Sequence, residues 1–312
     1  MDIHNSPLLT TIFESCADFF PQPGSAYVFF QGIEERSEHF DAASFKRNDV
    51  TLVQITREGE CDFDAQINSN KSQLFRLRSK KQLAELWKQG QWTTVYLDIT
   101  GIRHHIWIPL LRSAFETGIK ISVIYVEPGH YKANFTPTEG QIYDLSERVS
   151  GISPIPGFAS LSRPKDDFLF IPLLGFEGAR IAYLLEDVQP VDDRIIPIVG
   201  VPGFRPEHPF STYLGNRIAL RETNAWRNVF YADANCPFSL FYLLEEIAEK
   251  HPDLHCKIAV IGTKPHALGA VLFVLQNMAR RELIYDHPVR KSERTRGVGR
   301  LLEYDVGAFQ TE

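Results

Sequence analysis

The chain has 312 residues and a mass of 35.6 kDa, beyond ordinary single-domain size, so two domains or two joined halves are expected. With 44% hydrophobic and 12% aromatic residues, a chain this long can bury most of its unfolded surface, which excludes disorder as its main state. Its 33 basic and 39 acidic residues leave a net charge of -6, and this excludes a general coat for duplex DNA, which needs many phosphate neutralisations.

The opening MDIHNSPLLTTIFESCADFFPQPG carries acids where a secretory signal needs Lys or Arg, so a cytoplasmic protein is expected. No stretch reaches the roughly 18 unbroken apolar residues of a membrane span. The densest apolar run, FLFIPLLGF at 168–176, has the length of a strand. Cys16, Cys61, Cys236 and Cys256 lie far apart with no C-x-x-C pair, which argues against a zinc knuckle or a thioredoxin motif and for reduced thiols.

Short β-rich runs alternate with longer helical patterns, the signature of parallel strands joined by crossover helices. The runs are Ala26 to Phe30, Thr51 to Thr56, Thr94 to Ile99, Lys120 to Val126, Asp167 to Leu174, Arg194 to Val199, Asn228 to Ala232, Lys257 to Ile261 and Glu282 to Asp286. Several show no polar alternation, as expected where both faces of a sheet are covered. Leu74 to Gln89 and Phe238 to Lys250 read as helices, the second with Pro237 in its first turn and Asn235 as a candidate cap.

The chain also matches itself. YVFFQGIEERS, with Gly32 and Glu34, matches FIPLLGFEGAR, with Gly175 and Glu177, at a shift of 143. TLVQIT then matches IIPIVG at a shift of 144, the segment around Thr100 matches that around Thr263 at 163, and IYVEP matches IYDHP at 160. Four matches in one order predict an internal duplication. The expected fold is therefore α/β, with two Rossmann-like parallel-sheet halves. The segment from Gly129 to Asp167 is rich in Pro, Gly and Ser without a sustained period and reads as a connection. That puts the halves at 1–150 and 151–312, the second carrying an anion or nucleotide pocket.

In open parallel sheets, ligands collect beyond the carboxyl ends of strands. There the second half runs from a strand through Gly262, Thr263, Lys264, Pro265 and His266 into a helix. Glycine permits the turn, Thr263 can cap the helix or bond a phosphate oxygen, and Lys264 adds a positive charge beside free helix amides. The alternative is an ordinary strand-helix turn. Over Val260 to Val271 the G-T-K-P run and its small-residue helix resemble the signature of CARF domains, the Rossmann-like sensors of CRISPR ancillary proteins. The resemblance implies a cyclic oligoadenylate-type ligand on Gly262, Thr263, Lys264 and His266, the last standing where that family commonly has Met. It also implies a paired arrangement of domains, although the first-half counterpart DITGIRHHIW lacks the lysine.

Among carboxylates, Glu34 and Glu177 each follow a strand-end glycine, and Asp98 ends a strand before Thr100. Glu177 and Asp98 are the candidate catalytic bases, and capping of a helix start is the alternative for Glu34 and Glu177. Gly175 lies at the same strand end as Glu177. The proline-rich loop VGVPGFRPEHP carries Arg205, Glu207 and His208 as further candidates. The stretch Arg280 to Arg300 has seven basic against three acidic residues, and Arg290, Arg294 and Arg296 are expected to fold back over Lys264 and grip an anion. Gly297 and Gly299 favour a bent loop there. No motif identifies a metal site, a cofactor or a covalent nucleophile.

Three functions compete. The first is a sensor that binds a nucleotide or small phosphorylated ligand and signals to a protein partner in antiviral defence. The second is an enzyme that hydrolyses or transfers a nucleotide-derived group. The third is a partner-dependent structural subunit. The anion loop favours the first.

Overall fold

The computed structural model describes residues 9–138, 140–158 and 167–310. Two compact units divide them. The first takes in the described residues up to His130 together with those from Thr295 onward, and the second runs from Tyr131 to Arg294.

The first unit contains an eight-stranded sheet in the order Thr10–Phe13, Thr295–Asp305, Ile121–Tyr131, Val95–Asp98, Ala26–Phe30, Thr51–Glu58, Asp62–Ile67 and Gln73–Arg76. Its centre is parallel: Ala26–Phe30 pairs with Thr51–Glu58 on one side and Val95–Asp98 on the other, and Val95–Asp98 pairs with Ile121–Tyr131. Antiparallel pairs extend both edges. Strands Ala26–Phe30 and Val95–Asp98 are buried almost without alternation, which explains their largely apolar sequence. Helix His104–Thr117 buries ten of its fourteen residues and stops where Gly118 turns left-handed at φ 69, the usual glycine exit.

The second unit holds a five-stranded, wholly parallel sheet in the order Phe230–Ala232, Ile198–Gly200, Phe168–Leu173, His255–Val260 and Arg281–Ile284. Helix Lys264–Gln276 buries eleven of its thirteen residues, so its sequence is apolar all round. Leu268, Val271, Leu272 and Phe273 are fully buried, each contributing roughly 1.5–3 kcal/mol. Gly269 lets this helix lie against helix Pro237–Lys250, since a Cβ there would run into the Pro237 carbonyl.

The four central strands of the first sheet and four neighbouring strands of the second follow the same order relative to the chain. The first strand of each set lies between the second and the third, and the fourth flanks the third. The four sequence matches fall on these strand pairs.

Several expectations are corrected. Leu74 to Gln89 is not one helix: Gln73–Arg76 is an edge strand, and the helix is Lys80–Trp87, capped by Ser79. The cap of Pro237–Lys250 is Cys236, whose Sγ accepts from the Ser239 amide, not Asn235. Gly297 and Gly299 sit inside the strand Thr295–Asp305, not in a bent loop. The segment read as a connection contains strands Ala133–Thr138 and Gln141–Tyr143, which pair with each other, and Ser146–Val149, which pairs with Pro288–Arg290. From Tyr131 on it is part of the second unit, whose limits are Tyr131 and Arg294 where a cut at residue 150 was expected. Residues 159–166 of that segment lie outside the described residues.

Candidate functional site

The strands Phe168–Leu173 and His255–Val260 are followed by two backbones in close approach. A Cβ on Gly175 would lie 2.6 Å from the Ile261 carbonyl oxygen, and one on Gly262 would lie 2.9 Å from that of Leu173, so only glycine fits without a shift. Thr263 then caps helix Lys264–Gln276. Its Oγ1 accepts from the His266 amide at 3.2 Å and donates to the Ala234 carbonyl at 2.8 Å. The cap half of the expectation for Thr263 is thus realised. Lys264 is the first helical residue and only 6% exposed.

His266 has no exposed surface, and its Nε2 lies 3.0 Å from the Asp233 carbonyl. Burial pushes its pKa down to about 4 against the pull of that carbonyl, so the ring is neutral at pH 7. His266 thus joins the turn to the strand end at Asp233.

An arginine that sequence reasoning missed ties this turn to the neighbouring strand end. Arg180, in helix Gly178–Val188, donates to Asp286 through Nε at 2.7 Å and Nη2 at 2.5 Å, and to the Ile261 carbonyl through Nη1 at 3.0 Å. Burial works against the guanidinium charge, but Asp286 overrides it and raises the arginine's pKa. Next to Asp286 is Tyr285, whose buried phenol is pushed above its ordinary range by burial, with Arg290, Arg180 and Arg294 pulling the other way. The chain leaves this strand end, which Arg180 joins to Ile261, and enters the strand Pro288–Arg290, so Arg290 follows it closely in sequence. Arg296 is an exposed residue of strand Thr295–Asp305, in the first unit.

The candidate bases are committed elsewhere. Glu177 accepts from the Ser146 amide at 2.8 Å, the Leu145 amide at 3.3 Å and the Ser146 hydroxyl at 2.8 Å. Asp98 is 2% exposed and accepts from the Tyr27 hydroxyl at 3.0 Å and the Thr100 amide at 2.8 Å. Both carboxylates hold backbone in place, and Glu177, at the N-cap position of helix Gly178–Val188, makes no side-chain bond to that helix, so the capping alternative is met in position only. Glu34 accepts from Arg36 at 2.9 Å and from Thr295 at 2.7 Å. Arg36 also donates to the Tyr125 hydroxyl and the Val126 carbonyl. Each unit thus sends an arginine from the segment after its first central strand to its fourth, Arg36 to Tyr125 and Val126 within Ile121–Tyr131 and Arg180 to Asp286 just beyond Arg281–Ile284. Arg36 and Arg180 stand 144 apart, against 143 for the matched glycines, a signal that the sequence contained.

Of the proline-rich loop, His208 is buried and packs against Phe176 and Tyr131, while Arg205 and Glu207 are 4.0 Å apart. Among the described residues no group of three or more His, Cys, Asp or Glu is placed to hold a metal ion, and no helix is long and apolar enough to cross a membrane.

The fold and this cluster define an α/β protein with parallel sheets and an arginine-rich strand end. No family model matches the chain, and a comparison with curated proteins finds no match.

Proposed function

We propose that the second unit binds an anionic small molecule, a nucleotide or phosphorylated signal, beyond the ends of strands His255–Val260 and Arg281–Ile284, and that the chain is a cytosolic sensor reporting occupancy to a protein partner. The observation that carries this is the Arg180 fork. By bonding Ile261 and Asp286 together, it sets the glycine turn before Lys264 beside the strand end that leads into Pro288–Arg290. Helix amides and basic side chains recognise phosphate oxygens, and Arg180, closed on Asp286, positions the turn that presents them. Glu177 and Asp98 have their oxygens engaged by backbone and hydroxyl donors, which favours binding without turnover over the enzyme.

The matched strand order supports two Rossmann-like halves descended from one duplicated sequence. The Gly262-Thr263-Lys264-Pro265 turn supports kinship with CARF sensors, and with it a role in antiviral defence. The unmatched first-half loop, which has no lysine, makes the ligand site one-sided.

The test is mass spectrometry of small molecules released from the purified protein, followed by thermal-shift titration with mononucleotides, cyclic nucleotides and oligoadenylates. At a hundredfold excess over the dissociation constant, binding adds about 2.7 kcal/mol, or roughly 5–10 °C for a unit of this size. The shift should vanish in the Lys264→Ala, Arg294→Ala double variant. No shift with any of these ligands would leave the structural-subunit reading in its place.

A further inference from the structure

The first unit contains a cavity of about 340 Å³ lined entirely by its own residues. One wall is sheet face. Phe29 and Gln54 are direct partners across the parallel ladder between Ala26–Phe30 and Thr51–Glu58. Gln31 and Leu52 lie two residues away on their respective chains and line the cavity with them, as the alternation of strand side chains requires. The opposite wall is the crossover that joins these two strands, which supplies Phe40, Glu38 and Lys46.

Both walls supply aromatic and polar groups. Phe29 and Phe40 meet edge to face with centroids 4.8 Å apart, and Phe40 stacks on Phe45 at 5.0 Å, giving a fixed aromatic floor. At its rim runs a polar chain. Gln54 Nε2 donates to Gln31 Oε1 at 3.5 Å, Gln31 Nε2 donates to Glu38 at 3.0 Å, and Lys46 Nζ lies 3.4 Å from the Ser69 hydroxyl. A carboxamide has two N–H donors and two acceptor lone pairs, so each of the two amides keeps bonding capacity for a ligand.

We propose that this cavity binds a nucleoside monophosphate. Its base lies on the Phe29–Phe40 floor and presents its hydrogen-bonding edge to Gln31 and Gln54. Its sugar hydroxyls donate to Glu38, and its phosphate meets Lys46. A purely aliphatic ligand would cover the floor but strand the carboxamides, and a bare sugar phosphate would satisfy Lys46 but leave the aromatic floor wet. A planar heterocycle with a donor-acceptor edge answers both the floor and the rim, as in single-stranded base recognition. The volume falls in the range of small-ligand sites, and Phe29 and Gln31 stand at the carboxyl end of a parallel strand, where such sites form. This site is independent of the one proposed in the second unit.

The experiment is isothermal titration of the full chain with AMP, GMP, CMP and UMP, and with the nucleoside of whichever binds. The expected result is saturable binding of at least one nucleotide. Lys46→Glu, at an exposed position, should weaken that nucleotide by about tenfold or more and leave its nucleoside unchanged. Gln31→Ala, also exposed, should weaken both, in the wild type and in the Lys264→Ala background alike. Circular dichroism verifies that each variant is folded. Absence of binding by all four nucleotides at millimolar concentration, or binding indifferent to Lys46→Glu and Gln31→Ala, overturns the proposal. So does binding lost only in Lys264→Ala, which would assign the ligand to the second unit.

Discussion

Arg180 grips Asp286 with two parallel hydrogen bonds, 2.7 and 2.5 Å long, around a carboxylate that has no exposed surface. The arginine side chain is itself only 13% exposed. Removing one partner of such a pair leaves the other charge buried alone, so Asp286→Ala should cost about 3–5 kcal/mol. Urea unfolding of the wild type and the variant measures this. The Arg180→Met, Asp286→Leu double variant should recover most of the loss, because two apolar side chains strand no charge. A single variant as stable as the wild type would mean that the pair does not fix the strand end.

Glu177 separates binding from turnover. Its carboxylate takes three donors from Leu145 and Ser146, so Glu177→Gln replaces charge-assisted bonds with neutral ones and should destabilise by roughly 1–2 kcal/mol. Nucleotide affinity at the Lys264 turn should stay within error. A variant of wild-type stability that had lost a hydrolytic activity would instead make Glu177 a general base.

What the sequence disclosed follows from how local each cause is. The central strands were legible because a strand covered on both faces is an uninterrupted apolar run, as in Phe168–Leu173, and the Thr263 cap was legible because it acts within three residues. The edge strand Gln73–Arg76 was not: its partner is Asp62–Ile67, and Leu74 merely extends the apolar stripe of the helix that Ser79 begins. Thr295–Asp305 was hidden by its glycines, whose bend signal was overridden by its place beside Ile121–Tyr131 and Thr10–Phe13 in the sheet. The Arg180–Asp286 pair joins residues 106 positions apart, and no local pattern encodes such a partner.

Gly101 and Gly118 should respond oppositely to a search for space. A Cβ on Gly101 would collide with the Phe30 carbonyl oxygen and come 3.2 Å from its carbon, whereas one on Gly118 meets nothing within 4 Å. Gly118 instead has φ +69. Gly101→Ala is therefore expected to cost roughly 1–3 kcal/mol by overpacking a backbone that cannot yield. Gly118→Ala should cost about 1 kcal/mol from left-handed strain alone. Gly118→Asn should recover part of that cost, since Asn tolerates this conformation, but Gly101→Asn should be worse than Gly101→Ala. Thermal melts of the four variants distinguish strain from collision.

His266 gives the second unit a dependence on acid. Burial lowers its pKa from 6.5 to about 4. Above pH 6.5 the ring is neutral in both folded and unfolded chains, and the full stabilisation is present. Between 6.5 and 4 the unfolded chain takes up a proton that the folded chain refuses, so stability falls as pH falls, by up to about 1.4 kcal/mol per pH unit from this group. Below 4 both states are protonated and the contribution, roughly 3 kcal/mol in total, is gone. Urea unfolding from pH 7.5 to 4 should show this slope in the wild type. His266→Gln retains an N–H for the Asp233 carbonyl but does not titrate, so its stability should run parallel to the wild type above pH 6.5 and converge on it below. Two curves that stay parallel down to pH 4 would mean that the ring is reached by solvent and titrates normally in the folded chain.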